Sequence, residues 1–507
     1  MKKFYPSSAV READRIASEE LSVPGAVLME NAGRGAAEAM IFKYPRAKNY
    51  LIMCGPGNNG GDGFVAARHL VMRGLGATVI STIDPSGYKD DALAAAMSAA
   101  KSGVVTVSSS EREDEEISAL VVTADVIVDA LLGTGSSGEP RGEVQRLIFL
   151  MEGARRIVSL DIPSGIDAST GEAGKDVVSA EMTVTFLAEK IGLALTPGAI
   201  YSGEVEVANI GVPAGRVLDN SDVIIGYDRS DISKLVPSVP LDVHKGARGG
   251  LMIIGGSSNY RGAPVLAARA ALRAGCGLVI LAIPDLQVEE ANALLPEAIF
   301  LPLPSKDGFI RFKTTERIIE QWFDKCRAIA VGPGLGRSPE CEKVLGYIHK
   351  EWTKPLLVDA DALIHLANIE KTLYPSARRD GMLITPHAGE AAYLLGSTSR
   401  QIMGKRLASC DELNGRYGPT LLKGPRTLIF GDGEKRVILE GGPGLAVPGS
   451  GDILTGIIGA YLAAGLSVLD AATLGALVHA EAGRRCGRRD GILAREIADN
   501  ITTEDSH

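Results

Sequence analysis

A glycine-rich segment near the N-terminus carries side chains that could hold a small ligand. The sequence GPGNNGGDGFVAARHL, residues 55–70, follows the apolar run NYLIMC and continues into an alanine-rich stretch. A glycine-rich turn between a strand and a helix presents backbone N–H groups that bind an anion. Asn58, Asn59 and Asp62 add polar groups that a pyrophosphate turn does not need, and their oxygens could coordinate a cation. This density of polar side chains favours a ligand site over an ordinary tight turn.

Two later segments place acidic and hydroxyl side chains at the ends of predicted strands. IVDALLGTG puts Asp129 at the end of one apolar run, and IVSLDIPSGID puts Asp161 and Ser164 at the end of the next. If these strands are neighbours, Asn59, Asp129 and Ser164 could hold one hard cation through oxygen. Asp161 would then be free to act as a general acid or base. The alternative for each single aspartate is a helix cap or a loop brace.

A second candidate site lies in GGPGLAVPGSGDILTGIIGAYLAAG, residues 441–465. Its glycine-rich turn runs into a long apolar helix, so the amides of Ser450, Gly451 and Asp452 would be free to bind a transferring phosphoryl group. Asp452 could take a proton from a substrate hydroxyl. On this motif alone, an N-cap role for Asp452 is an equal alternative. The chain contains no Walker A pattern, which excludes a P-loop enzyme.

The elements that must position these residues follow an α/β pattern. Near-continuous apolar runs such as DVIVDALL, LMIIGG and PLLVDA alternate with alanine-rich stretches, which predicts parallel sheets covered by helices on both faces. In such folds ligands bind beyond the carboxyl ends of the strands. Prolines and scattered charges interrupt the pattern at about residues 211–242, so we predict two domains, residues 1–218 and 224–507. The uncharged run between Asp452 and Asp470 predicts a buried helix rather than a membrane span.

Composition excludes several classes of protein. The chain has 507 residues, a net charge of −9 and 5% aromatic residues, which argues against binding to nucleic acid. Six cysteines occur without a metal-binding spacing, which is typical of reduced thiols in a cytoplasmic protein. The N-terminus has no apolar stretch of the signal-peptide kind. We therefore expect a cytoplasmic enzyme of small molecules, with no nucleic-acid or membrane partner.

The motifs of the first half resemble those of the NAD(P)H-hydrate epimerase family over most of residues 1–215. The resemblance is carried by four segments: NNGGDG, DALLGTG, DIPSGID and the early segment VPGAVLMENAGRGAAE. It implies a Rossmann-like three-layer α/β/α sandwich, a potassium ion held by Asn59, Asp129 and Ser164, and Asp161 at the reacting centre. Lys190 is a candidate second catalytic group, with a surface lysine as the commoner explanation. The residues that the resemblance assigns to the hydrate are Asn58, Asn59, Gly60, Gly61, Asp62, Gly133, Thr134, Gly135, Ser136, Ser137, Gly138, Glu139 and Asp161.

The second half resembles the ribokinase-like superfamily, and more closely the ADP- or ATP-dependent NAD(P)H-hydrate dehydratases. Six motifs occur in that family's order over about residues 224–500: HKGARG, the turn Gly262-Ala263-Pro264, GPGLG, TPHAGE, LKG and GSGD. The implied mechanism phosphorylates the ring hydroxyl of the hydrate, after which phosphate leaves and the dihydropyridine is restored. Asp452 would activate that hydroxyl, and Mg²⁺ would neutralise the phosphates. The resemblance gives the hydrate Ala263, Gly334, His387 and Asp452, and gives the nucleotide Lys423, Gly424, Pro425, Arg426, Thr427 and Gly451.

Together the two halves predict a bifunctional repair enzyme. It would interconvert the R and S forms of NAD(P)H hydrate and dehydrate the S form at the expense of ADP or ATP, with the donor left open. His387 would orient the nicotinamide, or else brace a loop at a strand end. We also expect a homo-oligomer, because both domains carry apolar helices.

Three other functions compete with this prediction. A ribokinase-like kinase of a small molecule, with an N-terminal ligand-binding domain, would share GSGD but not HKGARG or TPHAGE. A non-catalytic binding module in the first half would not need Asn59, Asp129, Asp161 and Ser164. An NAD-dependent dehydrogenase rests on GPGNNG alone, with Asp84 as the ribose-binding acid.

Overall fold

A computed structural model describes residues 1–136, 138–237, 248–372, 379 and 381–503. The chain forms two compact units, one of Lys3–Ile224 and one of Met1–Lys2 with Ile225–His507. Most of the HKGARGG segment, residues 244–247, lies outside the described residues, as does Ser137.

The first part of the chain alternates strands and helices. Its strands are β1 (Lys2–Phe4), β2 (Asn49–Cys54), β3 (Gly76–Ser81), β4 (Val105–Ser108), β5 (Val126–Ala130), β6 (Ile157–Leu160), β7 (Met182–Phe186) and β8 (Glu204–Ala208). Its helices are α1 (Ser7–Glu19), α2 (Gly25–Lys43), α3 (Asn58–Met72), α4 (Asp90–Lys101), α5 (Asp114–Thr123), α6 (Gly142–Met151), α7 (Ile191–Ala194), α8 (Gly198–Tyr201) and α9 (Ala214–Val217), with short 3₁₀ turns at Pro85–Gly87 and Ser109–Glu111.

The sheet of this unit is parallel, with the strand order β4-β3-β2-β5-β6-β7-β8. Alternate residues of each strand enter the hydrophobic clusters on its two faces: Ile52 packs with α2 and α3, whereas Leu51 and Met53 pack with α5 and α6. This confirms the predicted parallel sheet with helices on both faces. The chain turns in opposite directions from β2 and β5, so a crevice opens between their carboxyl ends.

The second unit has the same alternation with a longer sheet. Its strands are β9 (Ile224–Tyr227), β10 (Gly250–Ile254), β11 (Leu278–Pro284), β12 (Ile299–Leu303), β13 (Ser305–Lys306), β14 (Phe309–Ile310), β15 (Ala328–Val331), β16 (Leu356–Val358), β17 (Met382–Ile384), β18 (Thr420–Leu422), β19 (Leu428–Gly431) and β20 (Glu434–Ile438). Its helices are α10 (Ile232–Leu235), α11 (Gly262–Arg273), α12 (Val288–Leu294), α13 (Phe312–Glu320), α14 (Pro339–Glu351), α15 (Asp361–Thr372), α16 (Ala388–Leu395), α17 (Ser399–Gly404), α18 (Arg406–Tyr417), α19 (Ser450–Ala463), α20 (Val468–Arg485) and α21 (Ala494–Asp499), with 3₁₀ turns at Arg229–Asp231, Asp285–Gln287, Phe323–Lys325 and Pro443–Leu445.

The strands of this sheet follow the order β9-β20-β19-β18-β17-β16-β15-β10-β11-β12. From β18 to β12 neighbouring strands are parallel, and the direction of the crossovers changes between β10 and β15. The other edge of the sheet is not parallel, because β19 runs antiparallel to β18 and β20. The reason is local, because Asp432 and Gly433 both have positive φ and form a tight hairpin turn between β19 and β20.

The long apolar run of the sequence forms one buried helix and the start of another. Helix α19 has almost every residue buried, and Gly465, at φ +95°, ends it before α20 begins. Gly456 allows α19 to approach α11, since a Cβ there would lie 2.0 Å from the carbonyl oxygen of Ala267. Among the described residues, no helix is long and apolar enough to cross a membrane.

Replacing Gly456 with alanine should destabilise the second unit by about 1–3 kcal/mol, because the added methyl group meets a fixed backbone oxygen. The measurement is urea unfolding followed by the fluorescence of Trp322 and Trp352, both of which belong to this unit. Gly415→Ala in α18 is the matched control, because nothing lies within 4 Å of its Cβ position. It should leave stability unchanged or raise it by about 0.5–1 kcal/mol. Equal midpoints for wild type and Gly456→Ala would contradict the packing argument.

Candidate active sites

The polar residues predicted in the first half meet at the crevice between β2 and β5. Strands β2, β5 and β6 are neighbours in that order, as the proposed cation site required. Asn59 follows β2 in the first turn of α3, Asp129 lies in β5, and Ser164 follows β6. All three side chains are buried.

Asp129 is the fixed centre of this group. Its Oδ1 accepts hydrogen bonds from Ser164 Oγ at 2.6 Å and Leu131 N at 3.2 Å, and its Oδ2 accepts from Ser159 Oγ at 2.8 Å and Ser164 N at 2.9 Å. Burial raises the pKa of Asp129, although these hydrogen bonds act in the opposite direction. A cation beside this carboxylate would offset the cost of burying its charge.

Asn59 presents an oxygen that needs a partner. Its Nδ2 donates to the carbonyl oxygens of Leu132 at 2.9 Å and Leu160 at 3.2 Å, which fixes the orientation of the amide. Its buried Oδ1 has no hydrogen-bond partner within the described part of the chain. A buried amide oxygen without a donor is the kind of group that can bind a hard cation. No group of three His, Cys, Asp or Glu side chains suited to a metal occurs among the residues the structure describes, so an ion here would need amide or hydroxyl oxygens besides the Asp129 carboxylate.

Asp161 forms a buried ion pair with Lys190. Lys190 Nζ donates to Asp161 Oδ1 at 2.5 Å, and also to Thr185 Oγ1 and the Phe186 carbonyl oxygen at 2.8 Å each. The Lys190 side chain is 0% exposed, so the interpretation of it as a surface lysine is wrong. Burial alone would raise the pKa of Asp161, but Lys190 and the Thr134 N–H outweigh it and hold that pKa below its usual value. Asp161 is therefore an ionised carboxylate that can accept a proton.

The backbone of Asp161 is strained. Its φ is +67°, a conformation that side chains other than glycine rarely adopt and that occurs often at active sites. The N–H of Thr134 donates to Asp161 Oδ2 at 2.9 Å, and a Cβ on Gly133 would lie 3.1 Å from the same oxygen. The loop that begins at Gly133 is thus held against the Asp161 carboxylate.

Asp62 is the second carboxyl group near Asp161. It is 9% exposed, and it interacts electrostatically with Asp161, Asp14 and Lys190. Burial and the two negative neighbours raise its pKa well above the ordinary value. An ionised and a neutral carboxyl group at one site can serve as base and acid.

The other predicted substrate residues of this unit have different surroundings. A Cβ on Gly60 would lie 2.0 Å from the carbonyl oxygen of Gly55, and a Cβ on Gly61 would lie 2.7 Å from the side chain of Met29. Close packing therefore requires glycine at both positions. Asn58 and Gly135 are exposed. A cavity of about 190 Å³ extends the site, and its lining residues are Leu132, Ser136, Gly138, Glu139, Gly165, Ile166, Asp167, Glu172, Ala173 and Gly174.

The second unit has a larger cavity at its own crevice. It measures about 570 Å³ and is lined from the loops that follow β10, β15, β16 and β17, together with α19. Four residues predicted to bind the hydrate meet there. The lining residues are Tyr260, Ala263, Gly334, Arg337, Ala360, Asp361, Ile364, His387, Gly389, Glu390, Tyr393 and Asp452.

Asp452 is not the N-cap of its helix. Gly449, in the left-handed conformation at φ +87°, is the N-cap of α19, and Asp452 is the third residue of the first turn. Burial raises the pKa of Asp452 to about 7, and the nearby carboxylates of Asp359, Glu390 and Asp361 act in the same direction against Lys423. A carboxyl group with a pKa near neutrality suits general base catalysis at neutral pH.

The predicted nucleotide residues lie beside this group. Lys423 follows β18, and its Nζ donates to Asp359 Oδ1 at 2.8 Å. A Cβ on Gly451 would lie 3.5 Å from the same nitrogen. Gly424, Pro425, Arg426 and Thr427 form the turn between β18 and β19, and buried Arg406 donates to the carbonyl oxygens of Leu422, Lys423 and Arg426 to hold that turn.

His387 braces the start of a helix, which is one of the two roles that the sequence left open. It is the N-cap of α16, and its Nδ1 accepts from the N–H groups of Gly389 at 2.9 Å and Glu390 at 3.3 Å. The ring is also 57% exposed and lines the cavity. It is therefore a brace at the wall of the cavity, and its Nε2 lies 3.2 Å from Glu390 Oε1.

Sequence reasoning missed several residues of the second site. The sequence-based prediction assigns no role to Asp359 of PLLVDA, to Asp361 directly after it, or to Glu390 of TPHAGE. Arg337, the residue after GPGLG, brings a cation to the cavity wall. Each of these residues follows a predicted strand at its carboxyl end, which is the signal that could have found them.

Comparisons with known proteins agree with this two-site arrangement. A family model described as YjeF-related protein N-terminus matches residues 25–192, and one described as NAD(P)H-hydrate dehydratase matches residues 251–503. A bifunctional NAD(P)H-hydrate repair enzyme from Thermanaerovibrio acidaminovorans is 41% identical over 97% of this chain and 96% of its own length. Enzymes of the same name from Moorella thermoacetica and Coxiella burnetii are 36% and 34% identical, over 96% and 99% of this chain and 93% and 99% of their own lengths.

The chain belongs to the family of bifunctional NAD(P)H-hydrate repair enzymes. The relatives match through both units, so the shared family includes each of the two sites. This favours the repair function over a ribokinase-like kinase with an accessory domain. Asp84, the acid that a dinucleotide-binding dehydrogenase would need, instead accepts hydrogen bonds from Ser86 in an exposed turn.

Replacing Lys190 with methionine should leave Asp161 as a buried charge without its cation, and should cost about 3–5 kcal/mol of stability at pH 7. The wild-type pair has a lowered Asp161 pKa, so its contribution is present above the unfolded-state pKa and is lost as pH falls through the folded-state value. In the variant the Asp161 pKa rises, so the carboxyl group takes up a proton and the deficit shrinks between pH 7 and pH 5.

Urea unfolding followed by far-UV circular dichroism at both pH values measures this difference. Lys175→Met, which replaces an exposed lysine of the same unit, is the control and should change little. A deficit that stays constant from pH 7 to pH 5 would show that the ion pair is not its source.

Proposed function

We propose that this chain repairs hydrated NADH and NADPH by two reactions. The first unit would interconvert the R and S forms of the hydrate, and the second would dehydrate the S form with ADP or ATP. The observation that carries the proposal is that each unit of this family member has an aspartate with a shifted pKa at the crevice of its sheet: Asp161 paired with Lys190, and Asp452 at the start of α19.

In the second unit, Asp452 would act as the general base. It would take the proton of the ring hydroxyl, whose oxygen then attacks the terminal phosphorus of the adenine nucleotide and displaces AMP from ADP, or ADP from ATP. The amides of Gly451 and Asp452 belong to the first turn of α19, where N–H groups lack partners within the helix, and would bind the transferring phosphoryl group. Loss of phosphate and of a proton from the neighbouring carbon would restore the dihydropyridine.

The remaining residues of the second site would bind the two substrates. Ala263, Gly334 and His387 line the cavity with Asp452 and would contact the hydrate. The turn of Gly424, Pro425, Arg426 and Thr427, with Lys423 and Gly451, would contact the nucleotide. Mg²⁺ would enter with the nucleotide and neutralise its phosphates.

In the first unit, Asp161 would accept and return the proton that moves when the hydrated carbon is inverted. Its lowered pKa keeps it ionised at neutral pH, and Lys190 would hold it in place. The hydrate would lie against Asn58–Asp62 and the loop from Gly133 to Glu139, which reaches Asp161 through the N–H of Thr134.

Potassium would complete this site. Asn59 Oδ1, Asp129 and Ser164 would hold the ion, and the unpaired amide oxygen of Asn59 is the observation that favours it. The ion would offset the buried charge of Asp129 and position the substrate beside Asp161. A homo-oligomeric assembly and a cytoplasmic location stay predictions of the sequence.

Mixed R and S hydrate of NADPH, supplied with Mg²⁺ and either ADP or ATP, should recover its dihydropyridine absorbance completely with the wild type. Asp452→Asn should lower the rate of recovery by about 10³-fold or more, as expected for loss of a general base within a preorganised site. Asp161→Asn should leave the first, S-form phase unchanged and slow the second phase to the spontaneous rate of epimerisation. The donor that supports recovery identifies the nucleotide.

Melting temperatures of both variants serve as the control for folding. A wild type that restores no absorbance with either donor would refute the dehydratase proposal, and a screen of small hydroxylated substrates would then test the kinase. An Asp161→Asn variant with an unchanged second phase would refute the epimerase site.

Exchange of potassium for sodium should slow the second, epimerisation phase and lower the melting temperature of the wild type. Asn59→Leu should remove both effects of the exchange, because the only amide oxygen proposed as a ligand is gone. Asn209→Leu, whose Oδ1 accepts from the N–H of Gly211 in an exposed loop of the same unit, is the control and should respond as the wild type does. Equal melting temperatures and rates in the two salts would contradict the potassium site.

A further inference from the structure

A buried ion pair lies beneath the N-terminus of α19, and none of the roles above accounts for it. Asp359, the residue after β16, is 1% exposed, and Lys423 donates to its Oδ1 at 2.8 Å. The same lysine Nζ lies 3.7 Å from Glu390 and close to Gly451, which is next to the catalytic Asp452. The pair is thus in contact with the catalytic turn without lining the cavity itself.

Asp359 also binds the helix that carries Asp452. Thr455 Oγ1 donates to Asp359 Oδ2 at 2.5 Å, and the Thr385 hydroxyl forms a further hydrogen bond to the same carboxylate. Thr455 lies three residues after Asp452 and therefore on the same side of α19. One carboxylate therefore joins the ends of three neighbouring strands, β16, β17 and β18, to the first turns of α19.

We propose that Asp359 is a positioning residue of the dehydratase reaction, which holds Lys423 and α19 so that a fixed set of charges faces Asp452. This inference rests on the proposed function of the second unit. It assigns Lys423 a role within the protein in addition to any contact with the nucleotide.

The charges that face Asp452 come from every element packed around it. Asp359 follows β16, Asp361 begins α15, and Glu390 lies in the first turn of α16, so three carboxylates surround it. Lys423 is the cation among them. From α20, His479 Nε2 forms a hydrogen bond with Ser450 Oγ at 3.0 Å, and burial together with Lys423 lowers the pKa of His479 to about 4, so this ring is neutral.

The consequence is that Asp452 can act as a general base at neutral pH. If Lys423 were free to turn fully toward Asp452, its charge would lower the pKa of Asp452 and make it a weaker base. Because Asp359 binds Lys423, the lysine partly offsets the carboxylates, and the pKa of Asp452 stays near 7. The pair therefore sets both the place and the basicity of the catalytic carboxylate.

The test is the pH dependence of kcat/KM for dehydration of the S-form hydrate. In the wild type the rate should rise with pH through the pKa of Asp452, at about 7, because the base must be ionised. Asp359→Asn removes a negative charge and frees Lys423, so the midpoint should move to lower pH by about one unit, with kcat at high pH reduced about tenfold or more. Lys423→Met should move the midpoint in the opposite direction.

Thr455→Val is the matched control. It removes the hydrogen bond from α19 to Asp359 but keeps every charge, so its midpoint should equal that of the wild type even if kcat falls. Asp359→Glu restores the charge and should return the midpoint toward the wild-type value. Melting temperatures of all variants report whether each protein is folded.

Opposite shifts for Asp359→Asn and Lys423→Met support the proposal. Unmoved midpoints in both variants, with only kcat or the melting temperature lowered, would make the pair merely structural and overturn it. Should Asp359→Asn fail to fold, the Lys423→Met midpoint decides alone, since an unmoved value overturns the proposal. A wild type without dehydratase activity is a different result, which refutes the proposed function and this inference with it.

Discussion

In each unit a lysine ammonium is paired with a buried aspartate carboxylate, within the first site and beside the second. Lys190 donates to Asp161 in the first unit, and Lys423 donates to Asp359 in the second. Neither charge could be buried alone without a penalty of several kcal/mol, so each group requires the other in its place. The loops that hold these residues are therefore fixed in position. The polar groups around each pair then face charges whose sign and place do not change.

The two pairs have different consequences for catalysis. Asp161 is itself a member of its pair, and its pKa is lowered, so it is an ionised base. Asp452 lies outside its neighbouring pair among carboxylates, and its pKa is raised to about 7. One reaction would thus use a permanently ionised carboxylate, and the other a carboxyl group that titrates near neutral pH.

Both sites use the same property of parallel sheets. Where successive crossovers leave a sheet in opposite directions, the loops after two adjacent strands separate and leave a crevice. The first unit has this point between β2 and β5, and the second between β10 and β15. Glycine-rich loops line both crevices, and buried polar side chains come from the strands next to them.

A chain that contains both sites could convert either form of a damaged nucleotide, because the product of one reaction is the substrate of the other.

Much of this arrangement follows from the sequence by itself. Apolar runs that end in Gly, Asp or Pro predict parallel strands and the edge where chemistry occurs, because strand ends are the positions a parallel sheet leaves open. Asn59, Asp129 and Asp161 are found in this way, and Asp452 is found from the glycine-rich turn that precedes a long apolar helix. The antiparallel strand β19 is marked by its Asp-Gly turn, although the surrounding α/β pattern hides that signal.

Only the tertiary structure decides which charges meet. Lys190 lies 29 residues from Asp161, and Lys423 lies 64 residues from Asp359, separations at which no sequence pattern predicts an ion pair. Burial and the partners of a group set its pKa, and both depend on how the strands are ordered and how closely the helices pack. The sequence therefore determines which residues can do chemistry, whereas the fold determines the protonation state in which they do it.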